Sequence, residues 1–252
     1  SKKAGLILLE EPENHLSHTK LNEFIRSIKE NCEGKQIIIS THNSFVANKL
    51  GLENLILLHN QKVTKLKDLR PSTQDFFRKL PGYQTLRLLL CKKAILVEGD
   101  SDELIVQKAY MDSNDGKLPI EDGIDVISVK LTFKRFLEIA QKINKPVAVV
   151  TDNDGNYKKN IEKKFKDFLD EDFIKISASI KNNYETLEPQ FAFANKEQLE
   201  TLCEVIGIDY SKYNSVELIS SYMKKNKTKW ALKVFNSDET LEYPVYIKKV
   251  IR

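Results

Sequence analysis

Cysteine is scarce in this chain of 252 residues, and the three present, Cys32, Cys91 and Cys203, stand far apart with no C-x-x-C pair. That spacing excludes a zinc knuckle and fits a reducing compartment, so all three read as buried or incidental thiols. Long apolar runs are also missing: none approaches the roughly 18 residues that a membrane-crossing helix needs. The opening "SKKAGLILLEEPE" lacks the basic, apolar and small-residue order of a signal peptide. A soluble, cytoplasmic protein with no membrane partner is therefore expected. Charge of one sign is not in large excess, since 40 Lys and Arg face 36 Asp and Glu for a net charge of +4. Any surface that meets a polyanion must come from local concentration of lysine, not from the total. No internal repeat or low-complexity tract is evident.

What is present is enough for one large core or two modest ones, with 41% hydrophobic residues. From Leu6 to Leu66 the pattern is a strand over Leu6 to Leu9, an amphipathic helix over about Ser17 to Asn31, and the strand "QIIIS". A short helix after Thr41 follows, then "NLILLHN" and "KVTKL" as a hairpin. The first strand starts almost at once with no partner element before it, which leads us to expect a piece of a longer protein. "KDLRPSTQDFFRKLPGYQTLRLLLC" carries Pro71, Pro81 and Gly82 among charges and reads as a connector of two short helices. Three regions are expected: 1–70, a connector at 71–91, and a second domain over 92–252.

The second domain alternates again. A strand over Ala94 to Val97 leads to a helix over about Asp102 to Tyr110, then "DVISV", the helix "LTFKRFLEIAQKI", the strand "PVAVV" and the polar loop "TDNDGN". "FIKIS" is a fourth strand candidate, and beyond Pro189 the spacing is helical. Such alternation implies a parallel sheet, whose ligand sites lie at the carboxyl ends of strands. Glu98 follows one such end, and Asp152 and Asp154 another. If the two strands are neighbours, three carboxylates meet, and a divalent cation is the natural way to neutralise them. Each motif alone has a plainer explanation: Ser101 or Asp102 as a helix cap, and "DNDG" as an Asx-rich turn. Their order on consecutive βα units favours the site.

"LVEGDSD" followed by "VVTDNDG" resembles the Toprim domain of topoisomerases, primases and several nucleases. The resemblance implies Glu98 as metal ligand or general base, Asp152 and Asp154 as metal ligands, Asp102 as a further acidic ligand, and Gly99 as a point of close approach to a phosphate. "NNYETLEPQF" and "KKNKTKWALKVF" then resemble the extra metal-binding glutamate and the phosphate-facing lysine of the OLD (overcoming lysogenization defect) nucleases. Carried over residue by residue, these roles fall on Glu188 and on Lys227, with Lys229 as the alternative two positions on.

In the first domain "LILLEEPENHLSH" resembles the Walker B strand of ABC-type ATPases, and "IIISTHNSFV" the strand bearing their switch histidine. By that resemblance Glu10 would serve Mg²⁺, Glu11 the attacking water and His42 the γ-phosphate. No G-x-x-x-x-G-K-[ST] phosphate cradle occurs in the sequence, so hydrolysis of ATP by this chain unaided is not expected.

The whole resembles the C-terminal part of an OLD-family nuclease, similar to the nuclease subunit of Gabija antiphage systems. It implies an α/β fold with a partial ABC-type lobe, a Toprim domain and added C-terminal helices. The implied function is a Mg²⁺- or Mn²⁺-dependent endonuclease or nickase acting on double-stranded DNA in antiphage defence, controlled by ATP binding to an ATPase region that is incomplete here. Homo-oligomers through the ATPase region and a UvrD-like helicase partner come with the resemblance. Two rivals differ in class. A topoisomerase or primase shares the metal chemistry, but no partner domain for a strand-passing tyrosine and no zinc-binding cysteines are evident. An ABC-type scaffold with a DNA-binding Toprim lobe gains nothing from carboxylates facing phosphates.

Overall fold

The structure, a computed structural model, describes residues 5–59, 62–66 and 69–251. They fall into two compact units that divide between Leu90 and Cys91.

In the first unit β1 (Leu6–Glu10) pairs in parallel with β2 (Gln36–Ser40), joined through α1 (His18–Asn31). Ser17 caps that helix by accepting the Lys20 backbone N–H, as a serine at an N-cap does. Leu21 and Ile25 of α1 pack with Val46 of α2 (Ser44–Leu50). The sequences LILLE and QIIIS are apolar on both faces, as strands buried on both sides are. Only one face is covered among the described residues: Leu6, Leu8 and Ile38 are exposed, Leu8 to 67%. The expected hairpin forms from β3 (Ile56–His59) and β4 (Lys62–Lys65), which pair antiparallel. Its turn at 60 and 61, and the connector positions 67 and 68, lie outside the described residues.

The stretch set apart in the sequence as a connector folds, up to Leu90, into this first unit. It does form two short helices, α3 (Pro71–Lys79) and α4 (Thr85–Leu90). Their apolar faces explain the difference, because Phe77, Leu88 and Leu89 are fully buried. Asn48 of α2 adds polar closure: its amide donates to the carbonyls of Pro81 and Tyr83, and its own oxygen accepts the Thr85 hydroxyl at 2.7 Å.

The second unit is built on four parallel strands, β5 (Lys93–Val97), β6 (Ile124–Ser128), β7 (Val147–Val150) and β8 (Ile174–Ser177), in the order β6-β5-β7-β8. Helices α5 (Asp100–Ser113) and α6 (Phe133–Ile143) make the crossovers. Successive side chains of a strand point to opposite faces, and both faces of this sheet are buried. Ile95, Val97, Ala148 and Val150 pack into one cluster with α5 and the C-terminal helices. Those helices are α7 (Leu187–Ala194), α8 (Leu199–Ile206), α9 (Val216–Lys225), α10 (Lys227–Phe235) and α11 (Val245–Ile251). Because β6 leaves β5 on one side and β7 returns on the other, the strand order reverses between β5 and β7. In an open parallel sheet that reversal leaves a crevice at the carboxyl ends of the two strands.

Candidate active site at the strand switch point

Register decides which side chains meet. Leu96 of β5 pairs with Val149 of β7, so the chain emerges from the sheet at Glu98 beside the start of the loop bearing Asp152. Gly99 follows in an extended conformation that any residue can adopt, and a Cβ there would meet Asp102 Oδ2 only at an ordinary 3.6 Å. The fold does not demand a glycine at this point. Asp102, in the first turn of α5, accepts the Gly99 backbone N–H through Oδ2 at 3.1 Å. The helix-cap explanation therefore holds for Asp102, and it does not compete with a place in the cleft wall.

The loop after β7 shows the same economy. Asn153 is buried and structural: its amide donates to the carbonyls of Ser179 and Lys181 at 2.7 and 2.8 Å, and its Oδ1 accepts the Gly155 N–H. With that residue turned inward, Asp152 and Asp154 are free to face elsewhere. Asp154 has a left-handed φ of 45° and Gly155 one of 73°, which is the Asx turn expected of such a sequence.

A cleft of about 260 Å³ is lined by Glu98, Gly99, Asp102, Asp152, Glu188 and Lys227, with Lys130 and Thr228 among its other walls. Glu188 comes from the first turn of α7, is 5% exposed, and accepts the Thr186 hydroxyl at 2.7 Å. Lys227 opens α10 and lines the cleft, whereas Lys229, two residues later, does not; both are exposed. Asp154 is exposed at the rim and is not part of the wall, yet it acts electrically on both Glu98 and Asp152. Glu185 stays outside, contributing only its carbonyl to the Asp154 N–H. A larger hollow of about 720 Å³, lined in part by Tyr184, Glu217 and Lys224, holds none of these four clustered acids. Size does not select the site here; chemistry does.

Burial and mutual repulsion give the acids unusual titration. Burial first, then Asp102, Glu98, Glu188 and Asp154, push Asp152 up to about 9. Asp102 rises to about 7, through burial and then the Glu98 charge, against the hydrogen bond from Gly99. Glu98 is raised by burial and by Asp154, while Lys164 and Lys227 pull it back. Acids that resist ionising together, as Glu98, Asp102 and Asp152 do, are a cluster that a bound cation would neutralise. Their donor set, all carboxylate oxygen, suits Mg²⁺ or Mn²⁺, which keep several waters. Among the described residues no three His, Cys, Asp or Glu side chains are yet placed to hold a metal ion together, so a cation would have to draw these carboxylates in.

Two further lysines belong here, Lys130, which the sequence does not single out, and Lys164, which it offers only as one of the lysines of "YKKNIEKKFK" expected to track a DNA backbone. Lys130 stands in the cleft wall just past β6 with a left-handed φ of 53°. Lys164 faces Glu98 from a segment whose ammonium lies 5.3 Å from the centre of the Phe165 ring and 5.8 Å from that of Phe133. Nothing local marks either one among many lysines. Only the strand order brings them in.

In the first unit the parallel register sets Glu10 opposite Ser40, and the next residues meet beyond the strand ends. His42 Nδ1 lies 2.9 Å from Glu11 Oε1, and Asn14 donates to Glu11 Oε2 at 2.8 Å. The Asn14 hydrogen bond, and then that with His42, hold the Glu11 carboxyl below its usual range. Glu10 is exposed and stands apart from this pair. Glu13, unremarked in the sequence, accepts the Thr41 hydroxyl at 2.6 Å and lies 3.7 Å from His42.

A parallel sheet with acidic groups collected at its switch point defines the second unit as a Toprim-type domain. Residues 89–154 match the family described as "Overcoming lysogenization defect protein-like, TOPRIM domain", and residues 1–48 match "AAA domain, putative AbiEii toxin, Type IV TA system". The two matches each cover a part of the chain, the AAA-type one at its start and the OLD-like Toprim one across β5, β6 and β7. Among solved structures, the C-terminal region of the Burkholderia pseudomallei OLD protein is similar at 18% identity, with a TM-score of 0.50 over 64% of this chain and 95% of that one. The C-terminal region of the Xanthomonas campestris pv. campestris OLD protein is similar at 20% identity and a TM-score of 0.44, over 64% of this chain and 93% of that one. No curated protein matches the chain. No helix among the described residues is long and apolar enough to cross a membrane.

Proposed function

We propose that this protein is a metal-dependent DNA endonuclease or nickase that works through the cleft at the β5–β7 switch point. The observation that carries the reading is the convergence of Glu98, Asp102, Asp152 and Glu188 on one cleft from three segments, the β5–α5 turn, the loop after β7 and the first turn of α7, with Glu98, Asp102 and Asp152 made harder to ionise by burial and by neighbouring charge. Mg²⁺ or Mn²⁺ bound there would supply Lewis-acid activation of water and stabilisation of charge on a phosphate. Glu98 and Asp152, fixed by adjacent strand ends, are the groups best placed to hold it. Asp102 and Glu188 are anchored by the Gly99 N–H and the Thr186 hydroxyl, so their orientations are set before any ligand arrives. Asp154 contributes from the rim. Lys227 faces Glu98 and balances charge on the scissile phosphate, while Lys130 and Lys164 offer further cations to the flanking backbone. Such contacts attract double-stranded DNA without reading its bases.

In the first unit the Glu11–His42 pair supports a nucleotide-responsive role, with Glu10 as a third acidic group, ATP as the ligand and control of the nuclease as the output. We place that control, like a part in antiphage defence, within the same reading.

The test is conversion of supercoiled plasmid to nicked circles. Wild-type protein with Mn²⁺ should nick, chelation should stop it, and Asp152→Ala should lower the rate by orders of magnitude. Cleavage that survives chelation, or an Asp152→Ala variant as active as wild type, would overturn the assignment.

A further inference from the structure

Buried hydroxyls almost always have a partner, because an unpaired one has given up its hydrogen bonds to water for nothing. Tyr246 is an exception. It is 5% exposed, and its hydroxyl has no hydrogen-bond partner among the described residues. The other orphan of this unit, Trp230 Nε1, sits in an aromatic cluster with Phe191. The Tyr246 hydroxyl has different company. Burial and then the charges of Asp152, Asp102 and Glu188 hold the phenol well above its ordinary range, so it is a neutral donor facing three of the four clustered acids.

Its place is fixed by backbone anchors at both ends of α11. Ser177 Oγ, at the carboxyl end of β8, donates to the Tyr246 carbonyl at 2.7 Å. Val150 of β7 pairs with Ser177, so this anchor lies one residue pair away from the strand end that delivers Asp152. At the other end Lys93, which opens β5, donates to the Val250 carbonyl at 2.8 Å. The helix thus runs along the sheet from the carboxyl ends of the strands to the amino ends, and it cannot slide without breaking both anchors. Tyr246 is buried and is not one of the residues that line the cleft.

We propose that Tyr246 is a positioning residue that donates its hydroxyl proton in a hydrogen bond to Asp152, orienting that carboxylate towards a divalent cation. The inference rests on the reading of the cleft as a metal site, and Tyr246 itself touches neither cation nor substrate. Groups behind metal ligands commonly set ligand orientation, and removing one weakens binding by about 10- to 100-fold. The hydroxyl is buried and unpaired as the cleft stands, and a turn of the Asp152 carboxylate would supply its partner.

Tyr246→Phe tests this, since it deletes one oxygen and keeps the ring. Mn²⁺ binding to the full chain is measured by titration calorimetry, with the melting temperature of the metal-free protein and plasmid nicking alongside. The expected result is Mn²⁺ affinity lowered by about 10- to 100-fold, a metal-free melting temperature equal to or above that of wild type, and nicking restored by raised Mn²⁺. Equal Mn²⁺ affinity in the two proteins would overturn the role of Tyr246 while leaving the metal site intact. Normal affinity with nicking lost at saturating Mn²⁺ would also overturn it, because the hydroxyl would then act on substrate. A wild-type protein that binds no Mn²⁺ would overturn both this inference and the reading it rests on. One that binds Mn²⁺ but cleaves nothing would remove the nuclease assignment alone.

Discussion

Asp102 shows how a residue can satisfy two explanations that look like rivals on paper. As a cap it accepts the Gly99 N–H; as one of four acids in the cleft its carboxyl is pushed up to about 7. "LVEGDSD" discloses both possibilities, and no sequence argument separates them, because both need a short acidic side chain at the third helical position. Asn153 was legible as a turn former but not as the clamp that joins the loop after β7 to the Ser179 and Lys181 carbonyls, since that partner lies 26 residues away. In "KNKTK" the resemblance puts the phosphate-facing lysine at Lys227, with Lys229 as the near alternative. The structure separates them by placement, as Lys227 lines the cleft and Lys229 does not. Under single-turnover conditions at saturating protein, Lys227→Ala should lose plasmid cleavage by about 100-fold or more, as loss of a transition-state contact does, with DNA affinity little changed. Lys229→Ala should keep its turnover. A reversal of the two would shift the phosphate-facing lysine by two positions, and indifference of both would reduce the site to its carboxylates.

At the scale of elements, strands were read better than what covers them. Short apolar runs such as "AILV" and "VAVV" announce buried parallel strands, and their alternation with helices announces the sheet. The pairing of β5 with β7 was a condition in the sequence reading and is a fact of the fold. Helix α11 could not have been assigned a task, since "YPVYIKKV" shows an ordinary mixture of aromatic, aliphatic and lysine residues, and the orphan hydroxyl of Tyr246 exists only once that helix lies against β7 and β8. The connector went astray because Pro71, Pro81 and Gly82 mark turns inside a unit as readily as between units.

Gathering acids at neighbouring strand ends also sets how stability responds to pH. A carboxyl whose folded pKa is raised keeps its proton in the native state where the unfolded chain has released it. Its stabilising contribution is complete below the ordinary carboxylate range and is lost as pH rises through the folded value. The window therefore runs from about pH 4 to about 7 for Asp102 and about 9 for Asp152. Metal-free protein should melt at progressively lower temperature across that window. Asp152→Asn should flatten its upper part, and Mn²⁺ should raise the melting temperature more at the alkaline end. A melting temperature that is level or climbs with pH would contradict the electrostatic description of the cleft.

On the scale of the whole molecule, the two units differ in what they expose. The second buries both faces of its sheet; the first leaves Leu6, Leu8 and Ile38 open on β1 and β2 and carries the Glu11–His42 pair beyond the same strand ends. Charge is a matter of placement more than of composition: a chain with a net charge of only +4 assembles Lys130, Lys164 and Lys227 around four acids. That is the arrangement expected where a cation and a phosphate must share one cleft. Diffraction from crystals of the full chain grown with Mn²⁺, recorded at the manganese absorption edge, addresses it directly. The expected result is an anomalous peak among Glu98, Asp102, Asp152 and Glu188 that disappears in Asp152→Ala. A cleft with no peak at saturating Mn²⁺, or a peak held by other residues, would contradict the assignment of these carboxylates as the metal site.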